Sequence, residues 1–282
     1  MKLIDGKAVA GEIRAELKAR TADFEAKYGK KVGLAVVLIG ENPASQVYVR
    51  NKVKACEEAG IRSIVHQLPA DTTQKDAEAL VLSLAKDKKV HGILVQLPLP
   101  PHLDAERILS CIPTAKDVDG FSAENVGKLA LCERGTVACT PHGVMELLKR
   151  YAIEIRGKRA VVVGRSNIVG RPMALLLLNA NATVTVCHSH TQNLKEECAR
   201  ADILVAAVGR AKFITEDMVK EGAVVIDVGM NRDENGKICG DVDFCEVSKK
   251  VSYITPVPGG VGPMTIAMLL KNAVDAAERA EQ

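Results

Sequence analysis

Tyr48 and Lys52, in the run YVRNK, stand four residues apart. On a helix that spacing puts both side chains on one face. An amine there can shuttle protons, provided that part of it is neutral. A lone Tyr/Lys pair on a helix is most often only a solvated face, so other residues must decide. Gln96 ends the apolar run GILVQ, at the kind of strand end where open α/β sheets place ligand crevices. Followed by Leu-Pro-Leu-Pro-Pro, it has no obvious packing role. Asp117 and Asp119, in KDVDG, lie in the next loop on the same side.

A second chemistry is written in RAVVVGRSNIVGRP, Arg159 to Pro172. Ala160 to Val163 read as a strand buried on both faces, and Pro172 to Asn179 as the following helix. A glycine turn between strand and helix offers backbone N–H groups and a positive dipole end to a phosphate. The dinucleotide fingerprint wants glycine at its first, third and sixth positions. Those positions hold Gly164, Ser166 and Val169, with the last glycine one place late at Gly170. A plain buried strand-turn therefore stays open on this stretch alone.

The next strand ends in Cys187-His188-Ser189-His190-Thr191, with no acid. A carboxylate there would accept the ribose 2′-OH of NAD and repel a 2′-phosphate. Arg165, on the loop across from it, and the Ser189 hydroxyl would welcome that phosphate. The pair points to NADP over NAD; the other reading makes Arg165 a solvated charge and Ser189 a turn residue. His188 and His190 alternate along the chain where they could flank the phosphate.

These groups need elements to hold them. Val9, Ile13 and Leu17 give a helix that ends before Gly29; Val32–Ile39 is a buried strand. Ser45 is a candidate cap for the helix carrying Tyr48 and Lys52, which stops at Gly60. Strand Ile61–Leu68, a helix opened by Thr73 and Asp76, and strand Val90–Leu97 follow. Beyond Pro101 the pattern loosens, with a short helix at Leu103–Cys111, until Thr140-Pro141 starts a new helix. The second half alternates again: strands at Ala160–Val163, Thr183–Cys187, Ile203–Val208, Val224–Val228 and Val251–Val257. PGGVGP then leads into a long helix, Met264–Ala280. The alternation predicts an α/β chain of two domains with parallel sheets, the second Rossmann-like.

Composition excludes several classes. A net charge of +3 over 282 residues, with no basic block interleaved with aromatics, speaks against nucleic acid and a membrane surface. No apolar run approaches the roughly 20 residues of a membrane span. The eight cysteines contain no C-x-x-C pair, and the N-terminus is not signal-like. They read as reduced thiols of a cytoplasmic enzyme, with no metal site.

Six motifs in order, YVRNK, GILVQLPLP, KDVDGF, CTPHG, VVVGRSNIVGRP and TPVPGGVGPMT, resemble the bifunctional methylenetetrahydrofolate dehydrogenase/cyclohydrolase family. The likeness runs from Tyr48 to Thr265, and six ordered motifs are far more specific than one. Ala211, in VGRAKF, stands where the family commonly has Pro. The resemblance implies a folate-binding catalytic domain, residues 1–139 completed by helix 264–282, and an NADP-binding Rossmann-like domain, 140–263. It implies a cleft between them, and a homodimer.

By position, the resemblance makes Lys52 the central catalytic residue, Gln96 its partner, Tyr48 the ring stacked on the folate and Asp119 the pterin anchor. Val95 and Leu97 flank Gln96 in the substrate site, and Pro258, Gly259 and Gly260 line its folate side. Gly164, Arg165, Ser166 and Ser189 carry over as the NADP site, with Met230 near the nicotinamide. The implied activity is oxidation of 5,10-methylenetetrahydrofolate to the methenyl form, then hydrolysis to 10-formyltetrahydrofolate. Hydride transfer requires mainly positioning, whereas the hydrolysis requires a proton carrier. A neutral amide partner and partial desolvation would lower the pKa of Lys52, where a carboxylate would hold its charge. The rival readings are a dehydrogenase of another small substrate and a non-catalytic NADP-binding module. The combination of Lys52, Gln96 and Asp119 argues against both.

Overall fold

The computed structural model describes residues 1–282. Its first elements are β1 (Lys2–Leu3), α1 (Gly6–Tyr28), β2 (Gly33–Ile39), α2 (Pro43–Glu58), β3 (Arg62–Leu68) and α3 (Gln74–Lys86). Then come β4 (Gly92–Val95), α4 (Ala105–Ser110), α5 (Ala123–Ala130), α6 (Cys139–Arg150), β5 (Arg159–Val163), α7 (Gly170–Asn179) and β6 (Thr183–Cys187). The chain closes with α8 (Leu194–Ala199), β7 (Ile203–Ala206), β8 (Val224–Asp227), β9 (Asn231–Arg232), β10 (Ile238–Cys239), α9 (Phe244–Val247), β11 (Tyr253–Ile254) and α10 (Val261–Ala280). Two compact units result. One is Gly11–Gly127, Gly135–Val137 and Leu269–Gln282; the other is Met1–Ala10, Lys128–Arg134 and Ala138–Met268. The division falls inside α1 and inside α10.

In the unit that holds Lys52, β2 is the middle strand of a parallel sheet ordered β3-β2-β4. All seven of its residues are buried, as a strand covered on both faces requires. Ala35, Val37 and Ile39 pack with Ala77, Val81 and Leu84 of α3 and with Ile93 and Val95 of β4. Thr73 caps α3 as expected, its hydroxyl accepting from the Asp76 N–H at 3.2 Å. The cap of α2 differs from expectation. Asn42 accepts from the Ser45 N–H at 3.1 Å, while Ser45 itself is buried in the first turn. Pro43, pre-set for the first helical position, starts the helix three residues earlier.

The other unit is built on six parallel strands ordered β1-β11-β8-β7-β5-β6. From β5 the chain steps to β6 on one side, then returns past β5 to β7, β8 and β11. Read from β5, this is the 2-1-3-4-5 doubly wound order, whose switch point, and hence ligand crevice, lies between the carboxyl ends of β5 and β7. Two features were not expected. The first residues of the chain form β1 on β11, and the last strand shrinks from Val251–Val257 to Tyr253–Ile254. Pro256 and Pro258 have no N–H to donate, so the ladder stops before them.

Candidate active site

Lys52 lies half-buried on α2, one turn after Tyr48, which is 40% exposed. Gln96 directly follows β4, and its N–H still reaches the Val37 carbonyl at 2.9 Å, so its position is fixed by the sheet. Lys52 Nζ donates to Gln96 Oε1 at 2.9 Å. Gln96 Nε2 donates to the Leu97 carbonyl at 2.7 Å, which decides which end of the amide faces the amine. Val95, 2% exposed, has its side chain in the core, whereas Leu97 is half-buried.

Asp119 completes this group. Burial pushes its carboxyl up to about 7, against the downward pull of the Lys52 charge and with a further push from Asp117. Asp117 plays a different part. Its oxygens accept from the N–H groups of Gly120 and Ser122 and from Asn125 Nδ2, at 2.9, 2.8 and 3.0 Å. It therefore shapes the loop that presents Asp119. Asn272, on α10, donates to the Val118 and Val137 carbonyls at 2.9 and 3.0 Å and holds the same loop from the C-terminal helix. The sequence held a signal for Asn272: one amide amid the apolar face Leu269, Leu270, Ala273, Val274. Cys56, one turn beyond Lys52, is buried, and burial, then Glu57, push its thiol up to about 12 despite the nearby Lys52. It stays a thiol, and all eight cysteines are free.

In the other unit the turn after β5 is as tight as a phosphate cradle needs. Gly164 has φ +129°, and a Cβ there would lie 2.2 Å from the Ala207 carbonyl oxygen, at the end of β7. A Cβ on Gly170 would lie 2.1 Å from the Gly164 carbonyl oxygen. Only glycine lets the chain close this turn, so the displaced fingerprint still gives a tight strand-to-helix turn. Ser166 Oγ accepts from the Val169 and Gly170 N–H groups at 3.2 and 3.4 Å, at the start of α7. Arg165 is exposed. Val163 is paired with Cys187, so Arg165 and the turn His188-Ser189-His190 leave adjacent strands at the same end of the sheet. These residues, with a cradle that any side chain would fill and no acid at the end of β6, fit a nucleotide bearing a 2′-phosphate.

Two buried acids support the neighbouring strand ends. Asp241, with 0% exposure, accepts from three consecutive N–H groups, Val208, Gly209 and Arg210, at 2.6, 3.0 and 2.9 Å, and from Asn231 Nδ2 at 2.8 Å. Asp227 accepts from the N–H groups of Gly229, Asp241 and Val242 at 2.9, 2.9 and 3.0 Å. Burial raises its carboxyl to about 6 in spite of those three donors, with Asp241 adding to the rise. Together they tie the loop after β7 to the loop after β8, which carries Met230. Sequence reading missed both; the signal was an acid directly ending the apolar run VVID, and a second in GDVD. Pro258, Gly259 and Gly260 precede α10. The chain's own start braces them: the Lys7 N–H donates to the Gly259 carbonyl at 2.9 Å.

Comparison with known proteins agrees along the whole chain. Residues 4–119 match the family model described as tetrahydrofolate dehydrogenase/cyclohydrolase, catalytic domain. Residues 138–281 match that of its NAD(P)-binding domain. The chain is 58% identical to the bifunctional protein FolD of Moorella thermoacetica over 278 residues, 99% of each. The crystal structure of the bifunctional methylenetetrahydrofolate dehydrogenase/cyclohydrolase from Campylobacter jejuni superposes with a TM-score of 0.97 at 56% identity, covering 99% of both chains. The Trypanosoma brucei enzyme, solved with NADP cofactor and inhibitor, gives 0.94 at 44%, covering 99% of this chain and 98% of that one. An amine–amide–carboxyl group on one unit, a glycine-turned strand end on the other, and identity across both halves place this chain in the tetrahydrofolate dehydrogenase/cyclohydrolase family.

Proposed function

We infer that this chain oxidises 5,10-methylenetetrahydrofolate to the methenyl form with NADP, and hydrolyses that product to 10-formyltetrahydrofolate. The observation that carries the reading is the bond from Lys52 Nζ to Gln96 Oε1, in a group that includes Asp119. NADP, when bound, supplies the acceptor for the hydride. Gly164, Ser166 and Gly170 hold its phosphates, Arg165 and Ser189 its 2′-phosphate, and Met230 lies toward the nicotinamide end. The residues around Lys52 hold the folate: Tyr48 stacks on its ring, Asp119 anchors the pterin, and Val95 and Leu97 flank Gln96. Pro258, Gly259 and Gly260 are assigned to folate binding on the family likeness.

The first step leaves a cation on the folate and needs no base. The second adds water to the methenyl carbon, and a proton must leave that water and reach the ring nitrogen that departs. Lys52, as a neutral amine, takes the proton and returns it, while Gln96 fixes its nitrogen. An amide adds no charge that would hold Lys52 as ammonium. Asp119, raised to about 7, is only partly ionised at neutral pH and so holds Lys52 as ammonium less than an ordinary carboxylate would. A homodimer belongs to this reading on the family likeness, and a cytoplasmic location on the free thiols. No helix is long and apolar enough to cross a membrane.

The test is an assay with methylenetetrahydrofolate and either NADP or NAD, following the reduced cofactor and the methenyl intermediate. A clear preference for NADP is expected. Arg165→Ala should raise the KM for NADP by roughly 10- to 100-fold, the scale of a lost charge-assisted contact, and leave that for NAD nearly unmoved. No preference in the parent would overturn the assignment of the acid-free strand end.

The Asp119 anchor carries its own pH signature. The donor edge of a pterin needs the ionised carboxylate, so folate affinity should rise as pH climbs through about 7, and Asp119→Asn should flatten that rise. Without ligand the sign for stability is opposite. A raised carboxyl stabilises the fold fully below its unfolded value of about 4 and loses that contribution as pH passes its folded value. The melting temperature of the parent should thus fall more steeply between about pH 4 and about pH 7 than that of Asp119→Asn, and the two should run parallel above. A folate KM independent of pH in the parent speaks against the anchor.

A further inference from the structure

We propose that His188, flanked by His190 and Arg165, forms a titratable anion site at the end of β6, so that this chain's preference for NADP over NAD strengthens as pH falls and NADP binding takes up protons. The proposal rests on the reading that the 2′-phosphate of NADP lies at this strand end.

The geometry is that of a small basic cluster. The Gly164 N–H donates to the Cys187 carbonyl at 2.8 Å, which brings the Arg165 loop beside the turn after β6. The turn closes on itself: the His188 N–H donates to Thr191 Oγ1 at 2.8 Å, and the Thr191 N–H to the His188 carbonyl at 2.9 Å. The two imidazoles lie edge to face, with centroids 6.0 Å apart. The His190 N–H donates to His188 Nδ1 at 3.2 Å, so the neutral ring of His188 carries its proton on Nε2. Adding a second proton puts it on Nδ1 and releases the His190 N–H. Both would then be donors, and a phosphate is the partner that suits them.

The charges around His188 point the same way. Partial burial, then Arg165, then His190 hold its pKa below the usual value. Arg165 comes from the loop after β5, and His190 from the same turn. Glu197, on α8, acts instead on the thiols of Cys187 and Cys198. Free protein therefore keeps His188 neutral at neutral pH. A bound dianion removes the repulsion and supplies an acceptor, so the pKa must rise on binding and protons be taken up. NAD, with a hydroxyl in that place, offers no such charge. The window lies between the free and bound values; below about 6 the phosphate itself gains a proton and the trend levels off.

The experiment measures the KM for NADP and for NAD at constant ionic strength, from about pH 8 to about pH 6.5, where imidazoles titrate. Calorimetry of NADP binding in buffers of different ionisation enthalpy counts the protons. In the parent the NADP preference should grow roughly five- to tenfold over that range, the scale of one added charge-assisted contact, with net proton uptake for NADP and none for NAD. His188→Asn/His190→Gln, in which the Asn oxygen can still accept the His190 backbone N–H, should flatten the ratio and abolish the uptake. If that protein is poorly folded, His190→Gln alone, on an exposed side chain, should reduce both. A parent that prefers NADP equally at every pH overturns the proposal and leaves the NADP reading standing. A parent that never prefers NADP overturns both.

Discussion

Lys52→Met is expected to lose cyclohydrolase activity by about a hundred- to ten-thousand-fold, the usual contribution of a positioned general acid–base group. Its dehydrogenase activity should fall much less, about tenfold, because hydride transfer asks the protein for alignment and not for a base. Methionine keeps the length and the apolar stem of lysine, so α2 and the wall it forms should survive. What disappears is the nitrogen that donates to Gln96 at 2.9 Å. Gln96→Glu should do similar harm for the opposite reason: a carboxylate in that place would hold Lys52 as an ammonium. The measurement is the rate of methenyl hydrolysis beside the rate of NADP reduction on the same preparation. A Lys52→Met protein with the parent's hydrolysis rate would remove Lys52 from the proton path.

Each end of that pair could be placed from the sequence because its geometry is local, while their meeting was implied by the family resemblance. Four residues on a helix bring Tyr48 and Lys52 to one face, and an apolar run followed by prolines brings Gln96 to a strand end. Strands β2, β4, β5, β7 and β8 were legible for the same reason, being buried runs bounded by turns. What the chain hid depends on distant partners. Lys2 and Leu3 carry no strand signal of their own; they become β1 only because β11, some 250 residues later, offers an edge. Asn272 reads as a polar residue on an apolar helix until the carbonyls of Val118 and Val137 are beside it. At the start of α2, Ser45 in the first turn imitates a cap when Asn42 and Pro43 are taken for a loop. Asp119 illustrates the middle case: its position was legible, but not the burial that raises its carboxyl to about 7.

Asp241 is the residue where local signal fails most completely and where a substitution should be most damaging to the fold. Asp241→Ala would leave the N–H groups of Val208, Gly209 and Arg210, and the Asn231 amide, without their acceptor. Orphaned buried donors cost about 1–3 kcal/mol each, and since they share one acceptor the total should be about 3–6 kcal/mol. That is a large share of the roughly 5–15 kcal/mol that holds a domain together. Asp227 would feel the change as well, because Asp241 is one of the causes of its raised value near 6. Removing that neighbour should let Asp227 ionise at lower pH. The loops after β7 and β8 stand at the carboxyl ends of strands, beside the crevice expected between β5 and β7. Dehydrogenase activity and NADP affinity should therefore fall well before methenyl hydrolysis does, whose proton-handling residues Lys52 and Gln96 belong to the other unit. Asp241→Asn keeps one acceptor oxygen but turns an NH2 toward backbone donors, so it should rescue only part of the loss. Thermal melting, with NADP KM and hydrolysis rate measured on the same protein, separates these outcomes. An Asp241→Ala protein that melts with the parent and binds NADP as well would show that the three N–H groups find other acceptors, and that the two loops do not depend on this carboxylate.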